Sequence, residues 1–152
     1  MINFEAYEEA PVLQLIEDED IFERLEKKAE ALLKKLTFSR ITTEDGVIGQ
    51  LIRDEFTAYT DEQTEAVTYG LCELINALYM VETARQDALS GATQGNIRSV
   101  SSGGESISYG AAETSVTEAL RSAAAEQKMY RDALMTYMRP EMFEVNPFYA
   151  GI

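Results

Sequence analysis

The chain has 152 residues, 45% of them apolar, and its 27 Asp and Glu against 13 Lys and Arg give a formal net charge of −14. This length and composition predict one soluble domain with an apolar core, and the negative charge, which no clustered basic stripe offsets, argues against direct binding of DNA or RNA. The chain has no histidine and a single cysteine, Cys72, which excludes imidazole-based triads, His-bearing zinc sites and an internal disulfide.

The first predicted element is an acidic N-terminal arm, residues 1–19. It contains no Lys or Arg and is interrupted by Pro11, so we interpret it as mobile or ordered by a partner. A helix follows to about residue 36, with Asp20 as its N-cap and Lys34 and Lys35 near its C-terminal end. Its apolar residues recur every three or four positions and predict one buried face: Ile21, Leu25, Ala29, Leu32 and Leu36.

The stretch from Thr43 to Tyr59 carries a weaker pattern. Ile48, Ile52 and Phe56 can share one helical face, but two glycines, at 46 and 49, each disfavour a helix by up to about 1 kcal/mol relative to Ala. We therefore predict a short or broken helix here.

The next helix is predicted from Thr60, which forms a capping box with Gln63, to about Ser90, where Gly91 provides a stop. Its apolar seam steps by four and three residues and includes Val67, Leu71, Leu74, Leu78 and Val81. Cys72 lies inside this pattern and is predicted to be a small buried apolar residue.

A last long helix is predicted from about Thr114 to Pro140, which ends it. The same four-and-three rhythm runs through Val116, Leu120, Ala123, Gln127, Tyr130, Leu134 and Tyr137. Two matched seams of this length favour antiparallel packing. The predicted fold class is therefore mainly α, an antiparallel helical bundle with two long helices joined by a small β-hairpin or extended loop.

The segment between these helices reads NIRSVSSGGESISYG, residues 96–110. A phosphate-binding P-loop is excluded, because Gly103 and Gly104 are followed by Glu105 where the motif requires a lysine. A two-residue turn at these glycines places Val100 opposite Ile107, which favours a β-hairpin over residues 97–109. A flexible helix–helix loop remains the alternative.

No catalytic, cofactor or metal site is predicted. The acidic run from Glu17 to Asp20 offers oxygen ligands for a divalent cation but lacks the order of an EF-hand loop, and we interpret it as the solvated start of a helix. A di-iron bundle needs Glu-x-x-His pairs, which this chain does not have. No apolar run reaches the roughly 18 residues of a membrane span, and the N-terminus has no apolar signal region, so synthesis in a cytoplasm without membrane insertion is expected.

The order of long helix, Ser/Gly-rich insert, long helix and short tail resembles the head–tail connector (adaptor) proteins of long-tailed bacteriophages, which form the ring beneath the portal. Three stretches carry the resemblance: AVTYGLCELINALY (66–79), RSVSSGGESISYG (98–110) and NPFYAGI (146–152). The resemblance covers roughly residues 44–152. Ala150 departs from it, since family tails often carry a basic residue at this position.

The resemblance implies a single connector domain, residues 1–152, in a ring of identical subunits, usually twelve. Such a ring lies in the virion between the portal protein and the next head-completion or tail protein, is assembled in the bacterial host cytoplasm, and lets DNA pass without specific binding. The loop would line the channel or contact a neighbour through Arg98, Val100, Gly103, Gly104, Glu105, Ile107 and Tyr109. The C-terminal tail, residues 140–152, would dock on the portal or a neighbour through Phe143, Phe148, Tyr149, Gly151 and Ile152.

Two other functions remain open on the residues alone. An acidic inhibitor that mimics DNA would explain the net charge of −14 but not the hairpin or the aromatic tail. A helical assembly factor with no place in the finished particle is the third hypothesis.

Overall fold

The computed structural model describes residues 1–89 and 115–143. The described chain is mainly helical with one small antiparallel sheet, which confirms the predicted class at this level. Residues 115–121 are helical, and the other elements in chain order are α1 (Phe4–Glu9), α2 (Glu19–Leu36), β1 (Ile41–Glu44), β2 (Val47–Ile52), β3 (Glu55–Ala58), α3 (Asp61–Leu89), α4 (Ala123–Met135) and α5 (Pro140–Phe143).

The N-terminal residues pack into the core and do not form a mobile arm. Tyr7 of α1 is fully buried, and its ring lies 5.3 Å from that of Phe22 in α2. The Tyr7 hydroxyl donates to Asn76 Oδ1 of α3 at 2.6 Å and accepts from the backbone N–H groups of Leu15 and Ile16 at 3.0 and 3.2 Å. The prediction of mobility was wrong because it relied on the acidic composition of this segment. A few apolar residues within it, Tyr7, Ala10 and Ile16, are buried.

Helix α2 was predicted well in extent and less well at its start. Asp18, rather than Asp20, is the N-cap, and its side chain accepts from the Asp20 and Ile21 N–H groups. An N-cap oxygen satisfies otherwise unpaired amides of the first turn. The buried side of α2 is centred on Phe22, Leu25, Glu26, Ala29 and Leu33.

Residues 41–58 form a three-stranded sheet, β1-β2-β3, so the predicted broken helix is wrong. Two two-residue turns connect the strands, and all four turn residues have positive φ: Asp45 and Gly46 in the first turn, Arg53 and Asp54 in the second. Such turns match the twist of a hairpin. Ile, Thr and Val dominate these strands and prefer extended backbone.

Helix α3 begins with the predicted capping box. Thr60 Oγ1 accepts from the Gln63 N–H, and Gln63 Oε1 accepts from the Thr60 N–H. All five residues of the predicted seam are buried, as is Cys72. These parts of the prediction are confirmed.

The last predicted helix is interrupted at Ser122, which has extended backbone (φ −147°, ψ 128°) and caps α4 by accepting from the Ala125 N–H. The break shifts the buried face, so Ala123 and Gln127 of the predicted seam are exposed. A single long helix at this position is therefore wrong.

Helix α4 runs antiparallel to α3. Arg85 near the end of α3 pairs with Glu126 near the start of α4, whereas Glu62 at the start of α3 lies 3.8 Å from Arg139 beyond the end of α4. The helices approach closely at Gly70, where an added Cβ would lie 3.0 Å from the Leu134 carbonyl oxygen. Small residues permit such an approach, and here it brings backbone against backbone.

Candidate assembly surfaces

The loop residues named by the sequence, Arg98 to Tyr109, lie outside the described residues, as do the tail residues Phe148, Tyr149, Gly151 and Ile152. Phe143 is the last residue of α5. The hairpin and its facing pairs therefore remain predictions, and the structure bears on them only through the positions of the helices from which these segments extend.

Those positions lie at opposite ends of the α3–α4 pair. Residues 90–114 follow directly from the end of α3, near the Arg85–Glu126 ion pair of 2.7 Å. The tail follows α5, which comes directly after Arg139 near the start of α3. The two locations are separated by the α3 rise from Glu62 to Arg85, about 35 Å at 1.5 Å per residue.

A second surface is the exposed face of α2. Five of the chain's 13 Lys and Arg lie on this face, although the chain as a whole is strongly acidic: Arg24, Lys27, Lys28, Lys34 and Lys35. Glu82 of α3 neutralises two of them, accepting from Arg24 at 2.8 Å and lying 3.7 Å from Lys28. The other three lysines form no ion pair with the described part of the chain.

Of the three acids at positions 23–30, Glu23 is exposed like the lysines, whereas the other two are packed against the N-terminus. Glu26 and Glu30 lie on the packed side and contact the Met1 ammonium at 3.1 and 2.8 Å. Burial raises the pKa of Glu26 to about 7, and the hydrogen bond between the two carboxyls lowers the pKa of Glu30. The expectation that the chain has no clustered basic surface is therefore wrong for α2, and helical periodicity applied to its lysines was the signal that pointed to the cluster.

An exposed aromatic residue stands at the C-terminal end of this face. Phe38 is 75% exposed and has a φ of +55°, a conformation that bulky residues rarely adopt. The Ser39 N–H donates to the Lys34 carbonyl at 2.7 Å, which fixes the chain reversal after α2. We call Lys27, Lys34, Lys35 and Phe38 the cationic patch.

A surface of opposite charge precedes α2. Four consecutive exposed acids, residues 17–20, follow the exposed apolar residue Leu13, which is 57% exposed. The Leu13 carbonyl accepts from Asn76 Nδ2 at 2.8 Å, so the backbone at this residue is held against α3. We call Leu13 together with Glu17, Asp18, Glu19 and Asp20 the acidic patch.

The described residues offer little for chemistry. Burial raises the pKa of the Cys72 thiol to about 12, which keeps it protonated and unreactive at neutral pH. Within residues 1–89 and 115–143, no three His, Cys, Asp or Glu side chains are grouped to hold a metal ion. In the same ranges, no helix has both the length and the apolar character to cross a bilayer.

Comparison of the chain with protein-family models, with curated proteins and with solved structures found no match in any of the three.

Proposed function

We propose that this chain is a structural subunit of a phage head–tail connector ring, which joins the portal to the tail and helps to retain packaged DNA. The two long helical regions would be joined by the predicted hairpin or loop over residues 97–109. The proposed subunit works through its surfaces and is not an enzyme.

The observation that carries the proposal is the separation of the two points at which the described chain leads into the predicted assembly segments. Helix α3 ends at one end of the α3–α4 pair and α5 follows Arg139 at the other, about 35 Å apart by the rise of α3. A subunit between two different structures needs contact surfaces facing in two directions. The rigid antiparallel pair supports this arrangement, because its close backbone contact at Gly70 resists sliding of one helix along the other.

Deletion of each segment tests the proposal. Removal of residues 99–108 is expected to leave the helical circular dichroism unchanged and to impair ring assembly or DNA retention. Truncation of residues 144–152 is expected to spare the rings and to weaken binding to a portal protein. Negative-stain microscopy of the purified chain, alone and with the portal, is the measurement.

The acidic inhibitor hypothesis gives the opposite result. A DNA mimic would remain free of rings, tolerate both deletions and bind a basic nuclease or polymerase tightly. Its support is the net charge of −14, but the exposed lysines of α2 interrupt the acidic surface that such a mimic requires.

A further inference from the structure

We propose that the cationic patch of one copy of this chain binds the acidic patch of a second copy. The inference deepens the proposed function and rests on it, because it names a subunit–subunit contact of the ring. The partner is identified by its chemistry: a surface of clustered carboxylates with one exposed apolar side chain, which each copy of the chain itself presents.

The first argument is charge complementarity. Lys27, Lys34 and Lys35 form no ion pair of 4 Å or less within the described chain, although the charge of Lys34 helps to lower the pKa of Glu30, and the three lysines lie on one exposed helical face. The exposed acids 17–20 likewise form no ion pair with a Lys or Arg of the described residues. Complementary patches of this kind direct association and fix its register.

The second argument is that each patch pairs its charges with an apolar anchor. Phe38 follows the lysines by three residues and Leu13 precedes the acids by four. Both are exposed although their backbones are held, Phe38 in the bonded reversal after α2 and Leu13 by Asn76. A fixed apolar side chain within a charged rim is typical of an interface centre, because little ordering entropy is lost on binding.

A nucleic acid is the weaker candidate for the same lysines. Three exposed lysines neutralise few phosphates, and the chain as a whole has a net charge of −14. Glu23 also lies on the exposed face of α2, one turn before Lys27. The phosphate backbone of a nucleic acid would extend beyond the cationic patch and be repelled by the acidic surface around it. The acidic patch of a second copy is small enough to contact the cationic patch alone.

The two patches are different surfaces of one subunit, so their contact is heterologous. A heterologous contact repeats from copy to copy and closes into a ring when the rotation permits. An isologous dimer would stop at two copies.

Cross-linking tests the contact directly. The variants Leu13→Cys and Phe38→Cys are prepared separately and mixed with a short bismaleimide, since Cys72 is buried and unreactive. The mixed 13–38 product is expected in excess over both homodimers. Leu89→Cys is the matched control, because Leu89 is 88% exposed but belongs to neither patch, and it should give no excess of a mixed product with Phe38→Cys.

Charge reversal then asks whether the patches drive the contact. Lys34→Glu/Lys35→Glu is expected to lower the 13–38 product and ring yield by about tenfold or more, which corresponds to about 1.4 kcal/mol. Mixing it with Glu17→Lys/Asp20→Lys, which keeps the Asp18 cap, should restore the cross-link. Arg121→Glu, an exposed cation outside both patches, should have no effect.

Each result decides one question. Rings that form equally well from Lys34→Glu/Lys35→Glu would overturn this inference and leave the proposed function standing. If the chain assembles only into dimers and never into larger oligomers, the contact is isologous and the proposed heterologous contact is wrong. Anisotropy showing micromolar binding of a 30-base-pair duplex, lost in Lys34→Glu/Lys35→Glu, would assign the patch to DNA instead. If the 13–38 cross-link forms but truncation of the tail leaves portal binding intact, only the assignment of the tail to the portal is wrong.

Discussion

Replacement of Tyr7 by Phe removes a buried hydroxyl group that uses its donor and both of its acceptor sites in hydrogen bonds. The Tyr7 hydroxyl has one proton and two acceptor sites; it donates to Asn76 and accepts from two backbone N–H groups, at distances of 2.6 to 3.2 Å. Phe at this position keeps the ring packing but leaves three polar groups without their partner. A buried group left unpaired costs about 1–3 kcal/mol, and the Leu15 N–H lies in a part-buried position, where the cost is smaller. We expect a loss of about 2–4 kcal/mol in the free energy of unfolding.

Tyr59 provides the matched control. Its hydroxyl is also buried, but it has no hydrogen-bond partner within the described residues. Tyr59→Phe therefore removes a desolvated polar atom without breaking a bond, and it should be neutral or stabilising by up to about 1 kcal/mol. The same chemical change is thus expected to have opposite consequences at the two tyrosines.

Urea unfolding followed by circular dichroism at 222 nm measures both variants, since the chain has no tryptophan for fluorescence. Amide exchange at Leu15 and Ile16 gives a local readout, and both amides should exchange faster in Tyr7→Phe only. Equal stabilities of the two variants within about 0.5 kcal/mol, with unchanged exchange, would refute the claim that this network holds the N-terminal residues on α3.

Four further predictions concern single positions. Gly70→Ala should lower the free energy of unfolding by about 1–2 kcal/mol, because overpacking against the Leu134 backbone outweighs the better helix propensity of Ala; an increase in the urea midpoint would contradict the close approach. Cys72 is fully buried and burial raises its pKa to about 12, so the thiol is shielded and protonated at pH 8, and alkylation should require opening of the fold and be far slower than for an exposed thiol. Burial raises the pKa of Glu73, so the folded chain holds this proton more tightly than the unfolded chain and loses stability as pH rises above the usual carboxyl range; Glu73→Gln should raise the melting temperature at pH 7.5 and have a smaller effect at pH 4. Phe38→Gly should stabilise the monomer by about 1 kcal/mol, since glycine adopts positive φ without strain, while it weakens self-association.

The helices were predictable where apolar spacing and end signals agree. The Thr60–Gln63 capping box and the seam of α3 combine a local start signal with a long apolar repeat, and both are confirmed. For α2 the repeat located the helix, but two acids were available as N-cap, and only the structure distinguishes Asp18 from Asp20.

The sheet and the break at Ser122 were not predicted for different reasons. Ile48, Ile52 and Phe56 fit a helical spacing as well as a strand spacing, and the Asp45–Gly46 pair is compatible both with a hairpin turn and with a break in a helix. The second turn has no glycine, so sequence composition gave no warning of positive φ at Arg53 and Asp54. Ser122 is followed by three alanines that favour a continuous helix, and a serine within such a run does not by itself indicate the extended backbone at which it caps α4.

The cationic patch was missed because charge was counted along the chain rather than around the helix. Residues 23–30 mix acids and bases in sequence, yet α2 turns Glu26 inward and Lys27 outward, while Glu23 stays exposed. A net charge describes the long-range field of a protein, whereas a contact depends on the charges of one face within a Debye length of about 8 Å. This distinction is why a strongly acidic chain can still present a basic surface to its own copy.

The turn after α2 ties the corrected fold to the proposed contact. Had residues 43–59 formed a helix, the chain after Leu36 would have been an ordinary helix–helix loop. Because β1 begins at Ile41, the chain must reverse within a few residues, and Phe38 and Ser39 both adopt positive φ to do so. Each such residue costs roughly 1–2 kcal/mol relative to right-handed backbone, and glycine at residue 38 would avoid that cost at little loss of packing, since the ring is largely exposed. An exposed aromatic residue that has a strained backbone, contributes little to the monomer and follows a cluster of exposed lysines is best explained by a role in association, and for this reason we assign Phe38 to an interface.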